Sequence, residues 1–278
     1  MIEQVTFTGA DDSVSPEALS AISKEFPFVE WGILLGTTYS IYDDVGVSRF
    51  PSTSWVDSLA KVYKKHMREE LAPMKLSAHW CEPFVGEFIT KGRSFDDIQG
   101  LNGIPNIFKR TQINTHGMKY TFAKSFLEEI RKHPEMEFIL QIDGVNDDFV
   151  LGANLPNISL LQDYSSGAGT FANEWGQWEG KKYGYAGGLN IDTLPAAMDK
   201  WLTRPANETI AWIDMESGVR TGTSVADGNK SVFDLQKVED VLTWADPHWY
   251  YSTTVLKSYA EAGIGVPHRK TRMQHAST

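Results

Sequence analysis

Apolar residues follow two rhythms along this chain. Short runs rich in Val, Ile, Phe, Tyr and Thr recur, and longer amphipathic stretches separate most of them. The short runs read as eight strands: Gln4–Gly9, Val29–Gly36, Lys75–Trp80, Phe108–Asn114, Glu137–Ile142, Ile158–Ser165, Lys182–Gly188 and Thr209–Glu216. The stretches between them carry helix signals. Ser15-Pro16-Glu17 offers a cap and then proline at the first helical position. Ser54 with Asp57 reads as a capping box ahead of Leu59, Val62, Tyr63 and Met67. Tyr120–Lys132 sets Phe122, Phe126, Leu127 and Ile130 on one face, and Ser231 with Asp234 opens a closing helix through Leu235, Val238, Val241 and Leu242. Two crossovers are eroded: Asn146–Leu155 is short, and Thr170–Gly180 holds Trp175 and Trp178 with little helical period.

Eight strands alternating with helices predict an α/β fold, a (β/α)8 TIM barrel over residues 1–245, with a doubly wound open sheet as its rival. Residues 246–278 exceed what a barrel needs. This C-terminal extension holds Trp249, Tyr250 and Tyr251, expected to pack on the barrel or at an interface. Its basic end, with Arg269, Lys270 and Arg272, is expected to fray.

Composition narrows the classes. The chain has 278 residues, enough for a full core, and 41% of them are hydrophobic, too many for a disordered chain. A formal charge of −10 argues against a broad nucleic-acid surface. The lone cysteine, Cys81, excludes an internal disulfide and a multi-cysteine zinc site. No apolar run nears the roughly 20 residues of a membrane helix. Met1–Gly9 lacks a secretory pattern, so cytoplasmic residence is the expectation. Oligomeric state stays open, a homodimer included.

In a barrel, chemistry belongs to the C-terminal strand ends. Alternation points Thr8, Ser77, His79, Cys81, Arg110, Gln112, Asn114, Gln141, Asp143, Asp163, Ser165, Asp214 and Glu216 toward the mouth. Each alone reads equally as a satisfied interior polar group. Convergence of so many favours a polar ligand site, because unpaired buried polar groups are costly. Three glycine segments follow strands 6, 7 and 8: Ser166-Gly167-Ala168-Gly169-Thr170, Ala186-Gly187-Gly188-Leu189 and Glu216-Ser217-Gly218-Val219. Glycine lets backbone N–H groups close on an anion, and loops 7 and 8 form the usual phosphate cup of this fold. A phosphorylated small molecule is therefore the expected ligand, with Gly167, Gly169, Gly187, Gly188, Ser217 and Gly218 as phosphate-binding candidates.

At these positions the chain resembles phosphoribosylanthranilate isomerase, a barrel family of tryptophan biosynthesis. The resemblance rests on Leu161-Gln162-Asp163, Gly167-Ala168-Gly169-Thr170 with Trp175, Tyr185-Ala186-Gly187-Gly188-Leu189-Asn190, and Ile213-Asp214-Met215-Glu216-Ser217-Gly218-Val219. Fainter matches are Ser48-Arg49-Phe50-Pro51 and Thr111-Gln112-Ile113-Asn114. It implies an Amadori rearrangement without a cofactor, Asp163 as general acid, and substrate contacts from Arg49, Gln112, Asn114 and Asp214. The family's basic cysteine falls at Thr8, within Thr6-Phe7-Thr8-Gly9, and an unassisted hydroxyl is a poor base. His79, Glu216 or Asp143 is then the expected base, His79 having the best intrinsic pKa; as a rival, His79 is a core histidine. Cys81 is a further candidate. Glu216 adds negative charge beside the cup unless it turns away or pairs with a base such as Arg220.

Other readings remain beside this one. The barrel could bind or sequester a phosphorylated molecule without turning it over. Lys75 or Lys109 could form a Schiff base, although Lys75 lies early in its strand and Lys109 has the wrong parity. No metal set is expected: His66, His79 and His116 are scattered, and Asp163, Asp214 and Glu216 have other implied roles. Trp31, Trp80 and Tyr185 are candidates to stack an aromatic moiety.

Overall fold

The structure, a computed structural model, describes residues 2–36, 49–70, 72–115, 117–121, 123–163, 171–172, 174–178, 180–202, 210–222 and 231–249. Eight parallel strands close into a ring in chain order, which decides against the open sheet. They are β1 (Ile2–Thr8), β2 (Val29–Leu35), β3 (Lys75–Trp80), β4 (Arg110–Ile113), β5 (Glu137–Ile142), β6 (Ile158–Gln162), β7 (Tyr183–Tyr185) and β8 (Ile210–Met215). Pairing of β8 with β1, Asp214 beside Thr6 and Met215 beside Phe7, completes the (β/α)8 barrel. Every strand expected from the sequence is present, most of them trimmed at their ends.

The helices are α1 (Pro16–Glu25), α2 (Thr53–Glu69), α3 (Phe95–Leu101), α4 (Ala123–Lys132), α5 (Asp147–Gly152), α6 (Leu194–Leu202) and α7 (Leu235–Trp249). Ser15 caps α1, accepting from the Ala18 N–H at 3.3 Å, and Pro16 stands at the first helical position. Two caps differ from expectation. Ser52 caps α2 through the Trp55 N–H at 3.2 Å, because Asp12 Oδ2 receives the Ser52 N–H at 2.7 Å and fixes the entry two residues early. Asp234, rather than Ser231, caps α7, receiving the N–H groups of Gln236 and Lys237. Ser231 accepts from Arg220 Nε instead, at 3.0 Å. Crossover 5 is the short helix expected, and α7 runs past residue 245 to Trp249. A short hairpin of β9 (Arg220–Thr221) and β10 (Val232–Phe233) precedes α7. Residues 250–278, with Tyr250, Tyr251 and the basic end, lie outside the described residues.

The main core lies between the strands and the helices. Trp80 stacks on Phe95 at 4.8 Å and meets Phe84 and Phe88 edge-on. Trp31 packs against Phe7 and Phe233, and Tyr185 stacks on Trp201. All three expected stacking residues are fully buried on this outer side, so none of them lines the mouth.

The lower barrel interior is charged. Arg110 Nη1 reaches Glu30 Oε1 at 2.6 Å, and Arg110 Nε reaches Glu137 Oε1 at 3.0 Å. Lys182 Nζ meets Glu137 Oε2 at 2.6 Å, Thr6 donates to Glu30, and Arg110 lies 4.3 Å from the Trp212 ring. Arg110 was expected at the mouth from its alternation. Its inward parity is right, but it starts β4 and so sits at the opposite end. Lys75 shares this lower level, beside Glu30 in register. Lys109 is exposed. Neither lysine lines the mouth cavity.

Candidate active site at the barrel mouth

The C-terminal strand ends line an open cavity. Thr8, Arg49, His79, Cys81, Gln112, Asn114, Asp163, Gly187, Gly188, Asp214, Glu216 and Ser217 all line it. Residues from seven strands thus meet at one place, as their parity requires. Gly167, Gly169 and Ser165 lie outside the described residues.

Thr8 and Asp214 form its centre. Thr8 Oγ1 donates to Asp214 Oδ1 at 2.7 Å, and both side chains are buried. His79 Nε2 lies 4.0 Å from Asp214 Oδ2 and has no hydrogen-bond partner among the described residues. Gly32 makes this cluster sterically feasible: a Cβ there would stand 2.2 Å from Thr8 Oγ1 and 2.9 Å from His79 Nε2. Burial pushes the Asp214 carboxyl well above its usual range, and the charges of Glu216, Asp163 and Glu30 add to this against the Thr8 hydrogen bond. Burial, with Arg110 below, lowers His79 to about 3. His79 is therefore neutral at pH 7 and a weak proton acceptor, contrary to the expectation that it is the base.

The remaining candidates have defined partners. Gln112 Nε2 donates to Asn114 Oδ1 at 2.6 Å, and Asn114 Nδ2 to Cys81 Sγ at 3.3 Å. Burial raises the Cys81 thiol to about 11, which keeps it protonated. Asp143 accepts from Thr115 Oγ1 at 2.7 Å and from the Val145 and Asn146 N–H groups. It holds the turn after β5 and is absent from the cavity lining.

Glu216 faces Arg49, whose Nε lies 2.9 Å from Glu216 Oε1. The sequence suggested Arg220 as its partner. Arg220 instead donates to Asp11 Oδ2 at 2.7 Å and to the Gly9 carbonyl, although its charge still acts on Glu216. Asp11 is the residue that sequence reasoning missed. Its Oδ2 also accepts the Arg49 N–H at 2.7 Å, holding Arg49 at φ 79°, a conformation costly for a non-glycine residue. The motif around Arg49 gave no sign of this, because Asp11 lies in another loop.

The late turns adopt the conformations their glycines allow. Gly187 and Gly188 have φ of 100° and 63°. A Cβ on Gly218 would meet the Leu189 carbonyl at 2.2 Å, so the two turns abut. The N–H groups of Gly187, Gly188, Ser217 and Gly218 reach no acceptor among the described residues. Among the described residues no group of three His, Cys, Asp or Glu side chains gathers as metal ligands, and no helix there is long and apolar enough to cross a membrane.

No protein-family model matches this chain, and no curated protein matches it. Solved structures align with it at low identity. A tryptophan synthase A-subunit from Pyrococcus furiosus is 13% identical, over 87% of this chain and 98% of that one, with a TM-score of 0.46. A 3-hexulose-6-phosphate synthase is 11% identical, over 82% and 96% of the two chains, with a TM-score of 0.37. An octameric ribulose-1,5-bisphosphate carboxylase/oxygenase from Pyrococcus horikoshii OT3 is 13% identical, with a TM-score of 0.38; this chain spans 63% of its length.

Proposed function

We propose that the barrel mouth binds a phosphorylated sugar-like small molecule and isomerises it by an Amadori-type aldose-to-ketose proton transfer. One observation carries this reading: the buried Thr8–Asp214 hydrogen bond, 2.7 Å long, in a cavity that Asp163 and the Gly187, Gly188 and Ser217 turns also line. The resemblance of these segments to phosphoribosylanthranilate isomerase points the same way.

The roles follow from the environments. Asp163 gives a proton to the furanose ring oxygen, and the nitrogen lone pair opens the ring to an iminium. The C2 proton passes to Thr8 Oγ1 while the Thr8 proton passes to Asp214 Oδ1, and the C2–H electron pair forms the enamine. A carboxylate of raised pKa is the stronger acceptor, which suits Asp214 for a role first expected of His79. The N–H groups of the late turns hold the phosphate. Arg49, Gln112 and Asn114 contact the rest of the ligand.

The test uses phosphoribosylanthranilate, with product measured chromatographically. Wild-type turnover is expected to be low, because relay through a hydroxyl replaces a thiolate. Thr8→Cys is expected to raise it. Asp163→Asn in that background should lower turnover by about 10²–10⁴ and leave binding within a few fold. Binding without turnover in both the wild type and Thr8→Cys would overturn the isomerase and support a sequestering protein.

A further inference from the structure

We propose that Glu216 is a built-in competitor for the anion seat: it occupies Arg49 in the free protein, and an anionic ligand gains Arg49 only as Glu216 takes up a proton. This inference rests on the reading that the mouth takes an anion, and adds how that binding is regulated.

The geometry supplies the competition. Arg49, Glu216, Gly187, Gly188 and Ser217 line one cavity, and Arg49 Nε lies 2.9 Å from Glu216 Oε1 within that lining. The main chain at Arg49 is held in place. Asp11 Oδ2 fixes its backbone N–H at 2.7 Å in a left-handed conformation, φ 79°. The carboxyl groups of Asp163, Asp214 and Glu216 line the cavity together with the guanidinium of Arg49, His79 being neutral. An entering anion therefore meets like charge unless a carboxyl is neutralised, and Glu216 is the one already on the cation.

The groups facing Glu216 come from several elements. Arg49 precedes α2, Asp163 follows β6, Asp214 belongs to β8, Arg220 to β9, and the protonated Cys81 follows β3. Asp11 and the Gly9 carbonyl engage Arg220, so it is a poor replacement for Arg49. Burial raises the Glu216 carboxyl, and Asp163 adds to this, against Arg49 and Arg220. Both effects ease uptake of the proton that releases Arg49. Where binding takes up one proton, affinity falls by up to about tenfold per pH unit as pH rises.

Sulfate is the probe, since its charge is constant across the range used. Calorimetry on the whole chain from about pH 5.5 to about pH 8.5 should show the wild-type Kd rising by roughly tenfold or more. Glu216→Gln should bind sulfate about tenfold tighter than wild type at the upper pH, with little pH dependence. Arg49→Gln should weaken binding in both backgrounds. Asp163→Asn should keep the wild-type slope; loss of the slope there would assign the proton to Asp163 and overturn the proposal. A Glu216→Gln protein, folded by circular dichroism, that retains wild-type affinity and slope would overturn the competitor and leave the anion seat standing. Absence of sulfate binding in all variants at every pH would overturn the anion-binding mouth itself, and the competitor with it.

Discussion

At the N-terminal end of the barrel, Arg110 lies between Glu30 and Glu137, and Lys182 closes the second carboxylate. At the mouth, Asp163, Asp214 and Glu216 line one cavity, and Glu216 lies against Arg49. Both ends bury carboxyl groups, and burial alone raises a carboxyl pKa. At the lower end, Arg110 and Lys182 outweigh burial and hold Glu137 below its usual range. The two carboxylates hold Arg110 firmly charged in return. At the mouth, burial wins at Asp214 and Glu216. At the lower end the carboxylates lie against cations, whereas at the mouth burial favours the protonated forms of Asp214 and Glu216. Burial that nearby cations offset at one end and not at the other separates the two ends of the same barrel.

Removing the lower cation should break this contrast most severely. Arg110→Leu leaves Glu30 and Glu137 facing each other in the interior, and should cost about 3–5 kcal/mol, measured by urea unfolding. Arg110 also acts on His79, so its loss should reach the mouth as well. A cost below about 1 kcal/mol would mean that the lower carboxylates find water or another cation.

Asp214→Asn sharpens the comparison from the other end. A raised native pKa contributes stability that is fully present below the unfolded value and is lost as pH rises through the native value. Above about pH 4 the unfolded chain releases this proton first, and the wild type weakens relative to an uncharged variant. Asp214→Asn should therefore match the wild-type melting temperature near about pH 4 and exceed it by roughly 2–4 °C at about pH 8, for each 1 kcal/mol relieved. A variant less stable at the higher pH would show that the native Asp214 carboxyl is not held above its usual range.

Lys182→Gln should have the smallest effect. The Lys182 side chain is 49% exposed, so solvent screens its pair with Glu137 and the loss should stay within about 1 kcal/mol. A loss equal to that of Arg110→Leu would make the lower network a single unit rather than a buried pair with an exposed closure.

Much of the architecture was legible because its causes are local. Alternation set the parity that brings Thr8, His79, Gln112, Asn114, Asp163, Asp214 and Glu216 into one cavity, and it also turned Arg110 inward. It carried no depth, so Arg110 was expected at the wrong end. The cap at Ser52 was missed because its deciding partner, Asp12, lies in another loop.

The sequence by itself determined eight strands alternating with helices and which strand residues share a face, since both periods follow from the backbone; closure of the ring in chain order was settled by the tertiary structure. Tertiary structure alone decided which charges meet. It gave Glu216 to Arg49 rather than Arg220, made Asp11 the holder of both arginines, lowered His79 and raised Asp214. Those outcomes depend on distance and on exclusion of water, and neither is set until the ring has closed.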